Sequence, residues 1–167
     1  MAVLRRSVGP LLLTGLAVLC LGYDAYVHLH LAGTYDAVGG TVTQGALFRL
    51  EAAAALLAIV ILLLSDSRPA WALAGAVGLG GAVAVVLYRY VDVPALGPIP
   101  AMYEPVWYAE KLWSAGAEAI VGVAWLLRES VRPGRRNTVA WSGPAGRAAR
   151  LRPGGSPRRL ADRHLRR

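Results

Sequence analysis

Four long apolar segments limit this chain to very few architectures. A helix that crosses a bilayer needs about 20 mostly apolar residues, and four segments approach that requirement: Val8 to Ala32, Ala46 to Leu64, Ala70 to Val91, and Pro105 to Leu127. Only 17% of the 167 residues are charged, against about 25% in soluble domains. The sequence therefore predicts an all-α membrane protein with a four-transmembrane-helix bundle.

The first segment resembles a signal peptide at its start, because Arg5 and Arg6 precede the apolar residues. No small-x-small cleavage site follows, since the apolar run continues into Tyr23, Asp24 and Tyr26. We therefore expect a retained transmembrane helix.

Basic residues predict how the spans are oriented. Lys and Arg in short loops stay in the cytoplasm, and Arg68 and the Arg-rich C-terminal tail would share that side with Arg5 and Arg6. The two opposite loops, 33–45 and 92–104, contain no Lys or Arg. We expect a multi-pass plasma-membrane protein with both the N and C termini cytoplasmic.

The chain divides into a four-helix transmembrane domain, 1–128, and an Arg-rich tail, 129–167. Residues 128–167 contain 12 basic and 2 acidic residues, so the basic character belongs to the tail rather than to a nucleic-acid-binding domain, and no nucleic acid partner is expected. Scattered prolines and glycines predict a disordered, basic, cytoplasmic tail. The tail either binds anionic lipid headgroups, at about 1 kcal/mol per Arg, or only enforces topology.

Small residues follow two stripes of the third span. One contains Ala72, Ala76, Gly80 and Ala84, and the other contains Ala74, Gly78 and Ala82. Such spacing lets helix backbones approach closely in lipid. It predicts close packing inside the bundle, with a homodimer face as the alternative.

Nearly every charge outside the tail and the inner loop falls toward the outer ends of the spans. Charges within spans usually face the bundle interior or a water-filled cavity. Either a network of ion pairs fixes the helix packing, or the charges line an outward-facing binding site. The candidate ligand-binding residues are Asp24, His28, Arg49, Glu51, Arg89, Tyr103, Glu104 and Glu110.

Histidines and the single cysteine predict no metal and no cofactor. Asp24 and His28 are four residues apart, a spacing that lets them hydrogen-bond or share a ligand, whereas His30 points elsewhere. A metal site would need further ligands from other helices. The remaining histidine, His164, lies in the tail, so one chain cannot supply a bis-histidine haem site. Cys20 alone excludes a disulfide or a thiolate cluster.

Glu118 lies by residue count near the membrane midplane, apart from the other charges. Low dielectric penalises the charged form of a carboxyl there. We expect either a hydrogen-bonded structural acid or a proton-relay group.

Three strings connect all the outer segments: "YDAYVHLHLAGTYD" from Tyr23, "QGALFRLE" from Gln44, and "YRYVDVPALGPIPAMYEPVWYAEK" from Tyr88. They resemble a family of small, uncharacterised bacterial four-span integral membrane proteins. This resemblance implies the four-span fold and an outer-face site, and it carries no activity. In size and span number the chain is also loosely similar to DoxX-like proteins, which implies a redox-associated membrane subunit.

Motifs of soluble enzymes are absent from the sequence, including the P-loop, GxSxG and HExxH. We therefore expect a non-enzymatic protein that binds a small polar ligand, a lipid headgroup or a membrane-protein partner at its outer surface. The alternative is a proton- or redox-linked membrane subunit that uses Glu118 with Asp24 and His28.

Overall fold

A computed structural model describes residues 8–131 of the chain. This part is helical, without a β-strand, and contains α1 (Val8–Ala32), α2 (Gln44–Leu64), α3 (Arg68–Tyr90) and α4 (Ala109–Val131). Three of these helices, α1, α2 and α3, are long and apolar enough to cross a membrane. Arg5, Arg6 and the tail from Arg132 onward lie outside the described residues.

The fourth helix differs from the predicted span in position and in polarity. It is not among the helices that qualify as spans by length and composition, because Glu118 lies within it and Lys111, Arg128 and Glu129 lie near its ends. It begins at Ala109 rather than Pro105 and continues to Val131. Residues 129–131, which we predicted to belong to the disordered tail, are thus helical.

Small side chains form most of the interior. α1 packs against α2, α3 packs against α4, and the α1–α4 and α2–α3 contacts join the two pairs. Alanines let these backbones approach closely, so that dispersion contacts accumulate. The residues at the centre of the interior are Ala17, Leu21, Ala52, Ala55, Ala58, Ala70, Trp71, Ala74 and Val121.

Glycines of α3 provide the closest approach to α4. A Cβ atom added at Gly75 would collide with the Trp125 ring, and one added at Gly78 would collide with Val121 and with the backbone oxygen of Glu118. Gly78 belongs to the second predicted stripe, which the structure buries at Ala74 and Gly78. The first stripe is exposed at Ala72, Ala76 and Gly80.

Trp71 is the largest fully buried side chain and lies at the end where α2 turns into α3. Its Nε1 donates a 2.7 Å hydrogen bond to Oδ1 of Asp66. The Arg128 guanidinium lies 4.7 Å from the Trp71 ring centroid and donates to the same Asp66 oxygen. These contacts fix the end of α4 against the α2–α3 turn.

Two loops close the opposite end of the helices: the first loop, 33–43, joins α1 to α2, and the second loop, 91–108, joins α3 to α4. The segment between α3 and α4 folds back on itself through paired backbone hydrogen bonds between Val93 and Met102 and between Leu96 and Ile99. Gly97 makes the turn with a φ of 59°. Gln44 Nε2 donates to the Ala101 oxygen, which ties the start of α2 to this second loop.

Candidate functional site

A cavity of about 300 Å³ lies beneath the two loops, with walls from all four helices. Aliphatic and aromatic side chains form much of the wall, among them Val27, Leu31, Leu47, Phe48 and Val85. Polar side chains from α1, α2, α4 and the second loop also face it: His28, Glu51, Glu104, Lys111, Ser114 and Glu118. Helical periodicity explains the arrangement on α4, because 111, 114 and 118 follow the i, i+3, i+7 spacing of one face.

Tyrosine hydroxyls connect the two loops at the cavity. The Tyr35 hydroxyl donates to Oε2 of Glu104 at 3.3 Å and lies 3.4 Å from the Tyr108 hydroxyl. Burial raises the pKa of the Tyr35 phenol, and its hydrogen bond with Tyr108 raises it further. The Tyr35 ring also packs on Phe48, with ring centroids 4.9 Å apart. These contacts hold the first loop against the second.

Lys111 fastens the second loop to α4. Its Nζ donates to the backbone oxygen of Glu104 at 2.5 Å and to that of Val106 at 3.3 Å. The Trp107 ring centroid lies 5.5 Å from the same nitrogen. Although Lys111 is buried, its ammonium group is satisfied by carbonyl oxygens, which is why this charge is tolerated beside apolar walls.

A second polar group, which we call the Asp24 cluster, consists of Asp24, His28, Ser114 and Glu118. Nδ1 of His28 lies 2.9 Å from Oδ1 of Asp24, the contact that their i, i+4 spacing predicts. The Ser114 hydroxyl donates to the same Asp24 oxygen at 2.7 Å. One ligand atom from each of Asp24, His28 and Glu118 lies within 4.8 Å of the other two.

The two acids of the Asp24 cluster are deeply buried, each being 1% exposed. Oδ2 of Asp24 and both carboxylate oxygens of Glu118 have no hydrogen-bond donor among residues 8–131, apart from a proton that the two neighbouring carboxyls can share. Gly81 leaves room for the Glu118 carboxylate, because a Cβ atom there would collide with it. This arrangement can hold a shared proton or a cation.

The structure brings several of the predicted site residues together. His28, Glu51, Tyr103 and Glu104 line the cavity, and Asp24 is buried in contact with His28. Glu118, expected to lie apart, joins Asp24 and His28. Counting residues from helix ends misplaced it, because a residue count contains neither helix tilt nor the four further residues of α4 beyond Leu127.

Besides Asp24, three of the predicted residues do not line the cavity. Arg49 forms an ion pair with Asp36 at 2.6 Å, and both side chains are about half exposed. Hydrogen bonds from Arg49 hold the pKa of the Asp36 carboxyl below its usual value. Arg89 lies 5.0 Å from the Tyr90 ring centroid, and Glu110 is exposed at the start of α4.

Sequence reasoning missed Tyr35, Lys111 and Ser114 as cavity or cluster residues. A signal for two of them was present, because Lys111 and Ser114 share the helical face of Glu118. Tyr35 lies in a loop, and nothing in the local pattern predicts its contact with Glu104, 69 positions further along the chain.

Comparison with known proteins identifies no relative. No protein-family model, no curated protein and no solved structure matches the chain.

Proposed function

We propose that this protein is a multi-pass protein of the plasma membrane, in which α4 crosses the bilayer with the other three helices and both termini are cytoplasmic. Support for α4 as a fourth span comes from its packing along α3 and α1 and from the burial of Glu118 against those helices. Buried intramembrane charges are tolerated when they face neighbouring helices rather than lipid. Loop composition supports the orientation, because segments 33–43 and 91–108 contain no Lys or Arg.

We further propose that the outer cavity binds a small polar ligand or a lipid headgroup, whose polar group contacts the polar side chains and whose carbon atoms contact the apolar walls. The observation that carries this proposal is the convergence of His28, Glu51 and Glu104 on one cavity with apolar walls. Small-molecule sites typically combine predominantly apolar walls with a few placed polar groups. The proposed role is binding rather than catalysis.

Native mass spectrometry of the full chain, released from membranes in mild detergent, tests the cavity proposal. Ala84 lines the cavity, so Ala84→Phe fills it. Val83 is exposed on the outside of the same helix, and Val83→Phe adds a similar volume there as a matched control. We expect a bound small-molecule mass on the wild type and on Val83→Phe, and its loss from Ala84→Phe. Bare protein in all three samples, or an equal adduct on Ala84→Phe, contradicts the proposal.

A proton-linked role is the second candidate, and the adjacency of the Asp24 and Glu118 carboxyls favours it. Two carboxyls that share one proton can accept or release it as their surroundings change. The remaining partner predictions, anionic lipid headgroups at the Arg-rich tail and a membrane-protein partner or homo-oligomer, stay predictions.

A further inference from the structure

The Asp24 cluster has more carboxylate oxygens than its hydrogen-bond donors satisfy. Ser114 and His28 both contact Oδ1 of Asp24, which leaves Oδ2 and the whole Glu118 carboxylate without a donor from another residue among residues 8–131. A buried charged group without a partner is strongly destabilising. The cluster therefore needs a further positive charge, or bound protons, to compensate its two carboxylates.

Lys111 of the cavity wall and Arg49 are both engaged elsewhere. Lys111 donates to the backbone oxygens of Glu104 and Val106, and Arg49 pairs with Asp36. His28 is the basic side chain that reaches Asp24, and even a protonated imidazole compensates only one carboxylate. Glu51, on the neighbouring cavity wall, adds a further acid. A doubly charged cation would balance the two carboxylates directly.

We propose that Asp24, His28 and Glu118 bind a divalent transition-metal ion of the Zn²⁺ type. One imidazole nitrogen with two carboxylate oxygens is a ligand set suited to such ions, because imidazole favours Zn²⁺ over Mg²⁺ or Ca²⁺. The ligands come from α1 and α4, so the ion would join two helices. This inference does not depend on the cavity binding an organic ligand.

The geometry is close to that of a zinc site. Ligand atoms about 2.1 Å from one ion lie about 3.4 Å apart in a tetrahedral arrangement. The three candidate ligand atoms lie within 4.8 Å of one another, so the widest pair must close by at most about 1.4 Å. Rotation of the flexible Glu118 side chain next to Gly81 can supply this movement.

Three protein ligands leave a fourth position open, as in zinc sites that exchange a bound water or ligand. His28 and Glu118 both line the cavity, so this position is accessible from it. The Ser114 hydroxyl, which donates to Asp24, would act as an outer-shell group that orients the carboxylate ligand.

The test is a Zn²⁺ titration of the full chain, purified in detergent and stripped of metal with a chelator. Calorimetry and elemental analysis after desalting measure affinity and stoichiometry. We expect one Zn²⁺ per chain and a higher melting temperature when the ion is bound. Asp24→Asn, His28→Gln and Glu118→Gln should each weaken binding by at least about 100-fold, the upper end of the loss when an outer-shell partner is removed.

His30→Gln is the matched control, because His30 lies on the same helix but is exposed and stacks on Tyr26. It should bind Zn²⁺ as the wild type does. His28→Gln keeps the test valid if the acid variants misfold, since it removes the imidazole ligand while the glutamine amide can still donate a hydrogen bond to Asp24. The proposal is overturned if the wild type retains no ion with Zn²⁺ in excess, or if His28→Gln and His30→Gln bind equally; the two carboxyls then share a proton instead.

Discussion

The Ser114 hydroxyl of α4 donates a 2.7 Å hydrogen bond to the Asp24 carboxylate of α1, and both side chains are buried. This contact connects α1 with α4 in the interior, next to His28 and Glu118. The stability of the α1–α4 contact and the position of the buried acids therefore depend on each other.

Ser114→Ala should lower the free energy of unfolding by about 1–2 kcal/mol, because it removes a donor from a buried carboxylate. Thermal unfolding in detergent measures the effect. Ser130→Ala is the control, since the exposed Ser130 hydroxyl donates only to the Leu127 backbone oxygen, and it should change stability by less than about 0.5 kcal/mol. Equal effects of the two variants would show that the Ser114 contact contributes nothing.

Gly78→Ala should destabilise the protein by about 1–3 kcal/mol through overpacking. The added Cβ atom would collide with the Val121 side chain and with the Glu118 backbone oxygen, which forces α3 away from α4. Gly80→Ala provides the comparison, because no atom lies near its added Cβ. Urea or thermal unfolding of both variants checks the difference, and equal stabilities would refute the α3–α4 contact.

Arg128→Gln should cost more stability than Arg68→Gln. The Arg128 side chain is 9% exposed and pairs with Asp66 while packing on Trp71, whereas Arg68 is 63% exposed and pairs with Glu129. Exposed ion pairs contribute about 0–1 kcal/mol, and we expect about 1–3 kcal/mol for the Arg128 change. Thermal unfolding of the two variants in parallel measures both losses of stability. A larger loss for Arg68→Gln would contradict the prediction.

The Asp36–Arg49 ion pair should make the first loop sensitive to acid. The pKa of Asp36 is lowered in the folded protein by hydrogen bonds from Arg49, so the unfolded chain binds more protons. The contribution of the pair is complete above the ordinary carboxyl pKa of about 4, and it is lost as the pH falls through the lower, folded-state pKa.

Carbon-13 NMR titration of the Asp36 carboxyl tests this sign. The midpoint should lie lower in the wild type than in Arg49→Gln, and added salt should reduce the difference because both groups are exposed. A midpoint unchanged by Arg49→Gln would show that Arg49 does not lower the pKa of Asp36.

Hydropathy was sufficient for α1, α2 and α3, because long apolar segments allow few structures other than membrane-crossing helices. The limits of α4 were harder to predict. Glu118 interrupts its apolar pattern, and its extension to Val131 depends on partners for Arg128 and Glu129 in a distant turn. Tertiary contacts determine that helix end, and a local pattern does not contain them.

At the site, the Asp24–His28 contact follows from spacing along one helix, so the sequence could predict it. The approach of Glu118 to Asp24 depends on how α1 and α4 are rotated and tilted, which hydropathy does not specify. Gly78 and Gly81 allow this approach because neither has a Cβ atom, which would collide with Glu118 at either position. Such a contact appears only when the helices are assembled.

Labelling of single cysteines with a membrane-impermeant maleimide in intact cells tests the central claim, that the loops over the cavity face outward and α4 crosses the membrane. In a Cys20→Ser background, Val38→Cys and Leu96→Cys, both in exposed loop positions, should be labelled. Ser65→Cys and Ser130→Cys, exposed at the opposite helix ends, should be labelled only after permeabilisation. Labelling of Ser130→Cys in intact cells, or protection of Leu96→Cys, would contradict this topology.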